Sequence, residues 1–212
     1  MSATVSEVET LLMGDGMDRL SVQNNLFVKQ TRRGCLQEAM GCEAKTEFQV
    51  STSEDKNLNL FYAIEEGSCC IRTFCPVIRG WNMNVSVSKD DPVFLQVERP
   101  IRCTYSPCKC CCFQEVAAYH YNATEFREND GRGPLLGRIT EAPMNLCVPR
   151  FNVTDDMGQE THVIAPPTCM GGQCVDMCAE GFSCRIPFHV EDSTGTKVGN
   201  VTKVWAGLAY VR

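Results

Sequence analysis

Histidine and long apolar runs are scarce in this sequence, and basic residues are outnumbered. Only three histidines occur in 212 residues, His120, His162 and His189, too few for a histidine-rich metal centre. No stretch approaches the roughly 20 consecutive apolar residues of a membrane-spanning helix. The opening MSATVSEVETLLMGDG has neither the basic end nor the apolar centre of a secretory signal. Twenty Lys and Arg against 26 Asp and Glu leave a formal net charge of −6. That balance gives no strong nucleic-acid signal, because general nucleic-acid binders carry a basic field. A Gly-rich phosphate loop, a Gly-x-Ser-x-Gly elbow and a His-Glu-x-x-His pair are all missing, so neither ATP coupling nor a hydrolase is indicated. These absences together predict an intracellular, non-enzymatic chain with no span of its own.

Cysteine, by contrast, is abundant, at fifteen residues. Five of them, Cys103, Cys108, Cys110, Cys111 and Cys112, fall within ten positions. Four Asn-x-Ser/Thr patterns, at Asn84, Asn122, Asn152 and Asn200, would read as glycan acceptors beside disulfides in a secreted chain. Without a signal the thiols stay in a reducing compartment, and an odd count fits full pairing poorly. The four patterns then reflect the use of Asn and Thr at turns and strand ends.

Hydrophobic residues make up 43% and charged residues 22%, enough apolar material for a sizeable core. Short alternating segments dominate. Strands are predicted over Leu20–Gln30, Lys45–Thr52, Leu58–Ile64, Trp81–Lys89, Pro92–Arg99, Phe113–Tyr121, Pro134–Thr140, Cys147–Thr154, Cys184–Glu191 and Lys197–Trp205. Polar turn clusters such as SKDDP, TDDMG and EDSTGT separate them. One short helix is expected over Ser6–Met13, where Ser6 and Glu9 make a capping box and Gly14 ends it. The chain also repeats itself: Phe48 and Val50 match Phe151 and Val153, and Val87 matches Val190, each 103 positions apart. So long a period is not a solenoid. It predicts two duplicated half-sheets closing against each other in an all-β sandwich or barrel, with halves at about 20–100 and 113–205. Residues 1–19 form a short N-terminal segment, and 20–212 one barrel domain.

Several motifs then agree in order. RPIRCTYSPCKCCCFQE, FYAIEEGSCCIRTFC, FNVTDDMGQE and VGNVTKVWAG resemble those of the phospholipid scramblase family over nearly the whole chain. The resemblance implies the tubby-like closed barrel, about a dozen antiparallel strands wrapped around one apolar helix. It implies ATP-independent, bidirectional movement of phospholipids between leaflets, with palmitate on cysteine and calcium as cofactors. Family members ordinarily begin with a long Pro-rich segment that recruits protein adaptors and end with an Asp-containing calcium loop and an apolar helix. Here about twenty residues precede the barrel and the chain stops at Arg212, so the calcium loop and central helix are expected to be missing. The segment around Gly199, Lys203, Trp205 and Gly207 matches the position of the family's nonclassical import segment. With Lys203 its only base, its plainer reading is the penultimate strand, since an import patch needs clustered Lys and Arg.

Three readings of the cysteine cluster remain. A structural zinc site needs four converging ligands; adjacent residues of an extended chain point oppositely, but a site completed by Cys69 and Cys70 or by Cys169 and Cys174 stays open. Small buried thiols suit Cys35, Cys42, Cys69, Cys70 and Cys147. S-acylation suits Cys108, Cys110, Cys111 and Cys112, and the family resemblance implies it too. Arg99, Arg102 and Lys109 would favour the nucleophilic thiolate and face anionic cytoplasmic lipid. One acyl chain gives marginal anchoring, at about 0.8 kcal/mol per buried CH₂, so several clustered chains supply the second signal. The expectation is a lipid-anchored protein on the cytoplasmic face of the plasma membrane, nuclear or cytosolic when unacylated. The alternative is a membrane-tethered or nuclear module that binds lipid or protein without scrambling. Cys111 and His120 are too far apart along a strand to pair locally. Asp90–Asp91, Asp155–Asp156 and Glu191–Asp192 read as solvated turns rather than cation sites.

Overall fold

The computed structural model describes residues 16–31, 46–52, 59–66, 79–102, 113–121, 133–142, 150–167 and 185–204. They form one short helix, α1 (Gly16–Ser21), and eleven strands. The strands are β1 (Phe27–Thr31), β2 (Glu47–Ser51), β3 (Asn59–Glu66), β4 (Trp81–Ser86), β5 (Val93–Arg99), β6 (Glu115–His120), β7 (Leu135–Glu141), β8 (Phe151–Asp155), β9 (Glu160–Ala165), β10 (Arg185–Asp192) and β11 (Lys197–Val204). They follow one another in chain order in a single sheet, and the described pairings are antiparallel. The all-β class is therefore as the alternating pattern predicts, with eleven strands.

Three sequence expectations need correction. The segment Leu20–Gln30 is not one strand: α1 covers its first two residues and β1 begins only at Phe27. Met17 and Leu20 lie three apart, on one helical face, and both pack on the core. The stretch Glu160–Ala165 is a strand in its own right, joined to β8 by a tight turn. The third correction concerns the duplication. Each of four hairpins, β2–β3, β4–β5, β8–β9 and β10–β11, carries one register shift, at Val50/Ser51, Val85/Ser86, Val153/Thr154 and Val190/Glu191. The first and third lie 103 apart, as the repeat predicts. The second and fourth equate Val190 with Val85 rather than with Val87, because the turns between the strands differ in length. The expected helix at Ser6–Met13 lies outside the described residues.

The chain divides into two compact units, Met1–Ile101 with Ala117–Leu136, and Arg102–Val116 with Gly137–Arg212. The first holds the described core: Val50, Phe61 and Phe94, with Met17, Leu20, Leu60, Val85, Val87 and Leu95 packed against it. The rings of Phe61 and Phe94 sit 5.4 Å apart, tilted by 55°, a favoured aromatic geometry. Helix α1 lies so close to Phe94 that a β-carbon on Gly16 would fall 2.2 Å from its Cδ1. Beside this core Tyr121, itself buried, donates its backbone N–H to Phe94 O at 2.8 Å and its hydroxyl to Gln96 Oε1 at 2.5 Å. Gln96 in turn donates to Asn84 Oδ1 at 2.8 Å. Asn84 is thus a bonded strand residue, and Asn152 is likewise half-buried in β8, neither being the surface loop a glycan acceptor requires.

Along β3, Phe61, Ala63 and Glu65 are buried in strict alternation, the period of a half-buried strand. That alternation carries a carboxylate inward with the apolar side chains. Glu65 is met by Arg79, which pairs with both its oxygens, the second contact being 3.3 Å. Glu47, buried at the start of β2, is met by Lys89 Nζ at 2.9 Å, and Lys89 also lies 5.5 Å from the centre of the Tyr62 ring. Both buried carboxylates are thus matched by a base, as burial of charge demands.

In the second unit two hairpins turn in the same way. In β8–β9, Asp155 N–H donates to Gln159 O at 3.0 Å while Asp155 Oδ1 accepts the Gln159 N–H at 2.8 Å. In β10–β11, Asp192 N–H donates to Thr196 O at 2.9 Å, and Asp192 Oδ1 accepts from Thr194 N, Thr194 Oγ1 and Thr196 N at 2.9, 2.6 and 2.9 Å. The fourth residue of each turn is glycine with positive φ, Gly158 at 81° and Gly195 at 80°, where a side chain would be strained. The acidic pairs there are turn formers.

Candidate functional site

Cys108, Cys110, Cys111 and Cys112 lie outside the described residues, and so do the other eleven cysteines. What the structure does describe is the chain on either side of the cluster. Strands β5 and β6 pair from Leu95↔His120 to Glu98↔Ala117, so the chain leaves and returns at neighbouring places. Arg102, the last described residue before the cluster, donates from Nη2 to Glu115 Oε2. Arg138, arriving on β7, donates from Nη1 to Glu115 Oε1 at 2.6 Å. The returning chain is also stitched to β7 through Gln114, whose N–H donates to Glu141 Oε2 at 3.2 Å and whose carbonyl accepts the Glu141 N–H at 2.8 Å. The ends of the cysteine segment are therefore held by an ion pair and a strand contact that use no sulfur.

The first unit shows the same device. Residues 67–78, which contain Cys69, Cys70 and Cys75, are bracketed by Glu65 and Arg79. The two pairs differ in setting. The Glu65 and Arg79 side chains are 5% and 15% exposed, against 19% for Glu115, 40% for Arg102 and 46% for Arg138. Nearby Arg99 is held below the usual arginine range by burial first and by the Arg79 guanidinium second. Of the three bases that the sequence places around the cluster, Arg102 is committed to Glu115, Arg99 lies at the end of β5, and Lys109 is outside the described residues. Arg138 comes from another strand, and no local pattern links it to the cluster.

The remaining sequence candidates are placed more simply. Gly199 and Lys203 sit in β11, paired with Val190 and Ile186, and Trp205 and Gly207 lie outside the described residues. His120 pairs with Leu95 in the β5–β6 ladder. The Asp155 and Asp192 carboxylates accept hydrogen bonds from their own turns, and those bonds, led by that of Thr194, hold Asp192 below the usual carboxylate range. Among the described residues no three His, Cys, Asp or Glu side chains converge on a metal position.

A family model described as Scramblase matches residues 5–210, nearly the whole chain. The chain belongs to the scramblase family. It is 25% identical over 193 residues to phospholipid scramblase 2 of Bos taurus, covering 91% of this chain and 58% of that one. It is 22% identical over 204 residues to phospholipid scramblase family member 5 of Homo sapiens, covering 96% of this chain and 66% of that one. The chain thus spans less than two thirds of the length of these two scramblase relatives. No solved structure matches it. The scramblase match takes in both units, both cysteine segments and the Arg102–Glu115–Arg138 cluster.

Proposed function

We propose that this chain is a membrane-attached scramblase domain taking part in ATP-independent, bidirectional movement of phospholipids between leaflets, held at the bilayer by acyl chains on Cys108, Cys110, Cys111 and Cys112. The observation that carries the reading is the family match over residues 5–210. The structure supports the anchoring half indirectly. The described chain on either side of the cysteine segment is held by Arg102, Glu115 and Glu141. In acylation a cysteine thiolate attacks an activated acyl thioester. The new S–acyl bond forms as the donor's breaks, and the proton ends on the departing donor thiol. Basic residues beside the thiols favour that thiolate. Several chains side by side meet the two-signal requirement for stable attachment.

No helix among the described residues is long and apolar enough to cross a membrane. Intact mass of the protein from cells, with and without hydroxylamine, tests the anchor. Loss of acyl-chain masses on treatment is the expected result, and unmodified or zinc-bound thiols would sink it. Replacing the four cysteines by Ala should move the protein from the membrane to the soluble fraction or nucleus. Retention through a carbonate wash would mean that another element holds it. Reconstitution in liposomes with a leaflet-reporter lipid tests the activity: exchange supports scrambling, whereas binding without exchange identifies a tethered binding module.

A further inference from the structure

We propose that Arg102 and Arg138, gathered on the carboxylate of Glu115, form a docking point for the phosphates of an anionic bilayer, with Glu115 as the built-in competitor for that anion. The inference rests on the membrane-attachment reading above and names the lipid surface that the site would meet.

Two guanidinium groups share one carboxylate, so the cluster carries a net charge of +1. A guanidinium has five N–H donors, and the contacts to Glu115 use Nη2 of Arg102 and Nη1 of Arg138. The other donors are available, because among the described residues no second carboxylate touches either group. Glu141, the acid of β7, lies three residues from Arg138 and therefore on the opposite face of the strand. Its Oε2 accepts the Gln114 N–H. Both arginines are well exposed, at 40% and 46%, while Glu115 is only 19% exposed. The carboxylate thus lies underneath and holds both cations in place with donors turned outward.

Charge and position point to a bilayer. The planar fork of arginine suits phosphate as well as carboxylate, and a surface rich in phosphates outcompetes one partly exposed carboxylate. Ile101, which precedes Arg102 in the chain, is 68% exposed. The cysteine segment begins at the next residue, so docking here would bring the thiols to the lipid before any acyl chain is attached.

The experiment uses the full chain purified without acylation. Its partition onto phosphatidylcholine vesicles with and without phosphatidylserine is measured by co-sedimentation at two salt concentrations. Binding should require phosphatidylserine and weaken with salt. R102Q and R138Q should each lower the partition coefficient about fivefold. E115Q should raise it by a similar factor of about five on anionic vesicles alone. Unchanged or weaker binding by E115Q, or unchanged binding by R138Q, overturns the proposal. So does a gain by E115Q that is equal on neutral vesicles, since that signals exposed apolar surface. Displacement by inorganic phosphate at matched ionic strength overturns it too, in favour of a soluble-phosphate site. Because the chain is unacylated, failure here leaves the hydroxylamine result standing, and failure of the acyl anchor leaves this binding measurable.

Discussion

The two Arg–Glu pairs that bracket cysteine segments should respond very differently to loss of their arginine. Glu65 faces inward with Phe61 and Ala63 and is 5% exposed. Arg79→Gln removes its only described guanidinium partner and strands a carboxylate in the core. Breaking a buried pair from one side costs roughly 3 to 5 kcal/mol. Relief of Arg99, whose charge Arg79 opposes, moves the expected cost toward the lower end. Arg102→Gln strands nothing, because Glu115 is partly solvated and keeps Arg138 at 2.6 Å. An exposed pair of this kind contributes about 1 kcal/mol or less. In urea, with a slope of about 3 kcal/mol per molar for a chain this size, Arg79→Gln should lower the unfolding midpoint by at least about 1 M. Arg102→Gln should lower it by no more than about a third of that. The double variant Glu65→Met, Arg79→Met should recover most of the loss, since an apolar pair of similar volume needs no desolvation of charge. Equal shifts for the two single variants, or a double variant no better than Arg79→Gln, would refute the claim that burial separates these pairs.

Three further outcomes follow from particular contacts. Gly16→Ala drives a methyl group into Phe94 and should cost about 1 to 3 kcal/mol as overpacking, read as a lower thermal midpoint. A neutral result would mean that α1 does not dock on Phe94 as described. The Asp192 carboxyl is held below its ordinary range by the Thr194 and Thr196 bonds, so its contribution is present above the unfolded value near pH 4 and is lost as pH falls through the lowered folded value. The stability difference between the protein and Asp192→Ala should therefore narrow steadily below about pH 4, and a pH-independent difference would contradict the turn assignment. Replacing Cys108, Cys110, Cys111 and Cys112 together by Ala should leave the unfolding midpoint within about 0.5 kcal/mol of its original stability. A large loss would mean that the cluster binds metal or packs in a core.

Most strands were legible because half-buried strands write their alternation into the sequence, as NLFYAIEE does with Phe61 and Ala63 inward. The same pattern was silent about Glu65, whose inward position depends only on phase, and about Arg79, which answers it from fourteen residues away. Helix α1 escaped because six residues give two apolar positions, too few to fix a period. Its signal was Gly16 before Met17 and Leu20, a gap where a close approach was needed. The stretch Glu160–Ala165 was visible as part of a repeat, and TDDMG marked the turn before it, but its ETHVIA pattern of two polar residues, a histidine and a short apolar run is not a clear alternation and so carried no strand signal of its own. Arg138 was not legible at all. Its partner lies 23 residues back, and only the sheet order brings the two together.

The duplication conserves backbone register more faithfully than side-chain role. Each of the four bulged hairpins skips one residue of its second strand in its own register: Leu60, Phe94, Thr161 and Val198. A bulge aims that residue away from the regular alternation. In the first unit the aim is used for packing: Leu60 lies against the core and Phe94 is 3% exposed beneath α1. In the second the equivalent positions hold a threonine and a valine, and Val198 is 56% exposed. The same backbone device therefore supports a core only where a covering element and a large side chain coincide. Gly16 provides the close approach that makes this possible at Phe94. A mutation that enlarges Val198 should accordingly change stability little, whereas Phe94→Ala should cost about 3 to 5 kcal/mol. Equal sensitivity at the two positions would show that the bulge itself, and not what packs over it, sets the energetics of these hairpins.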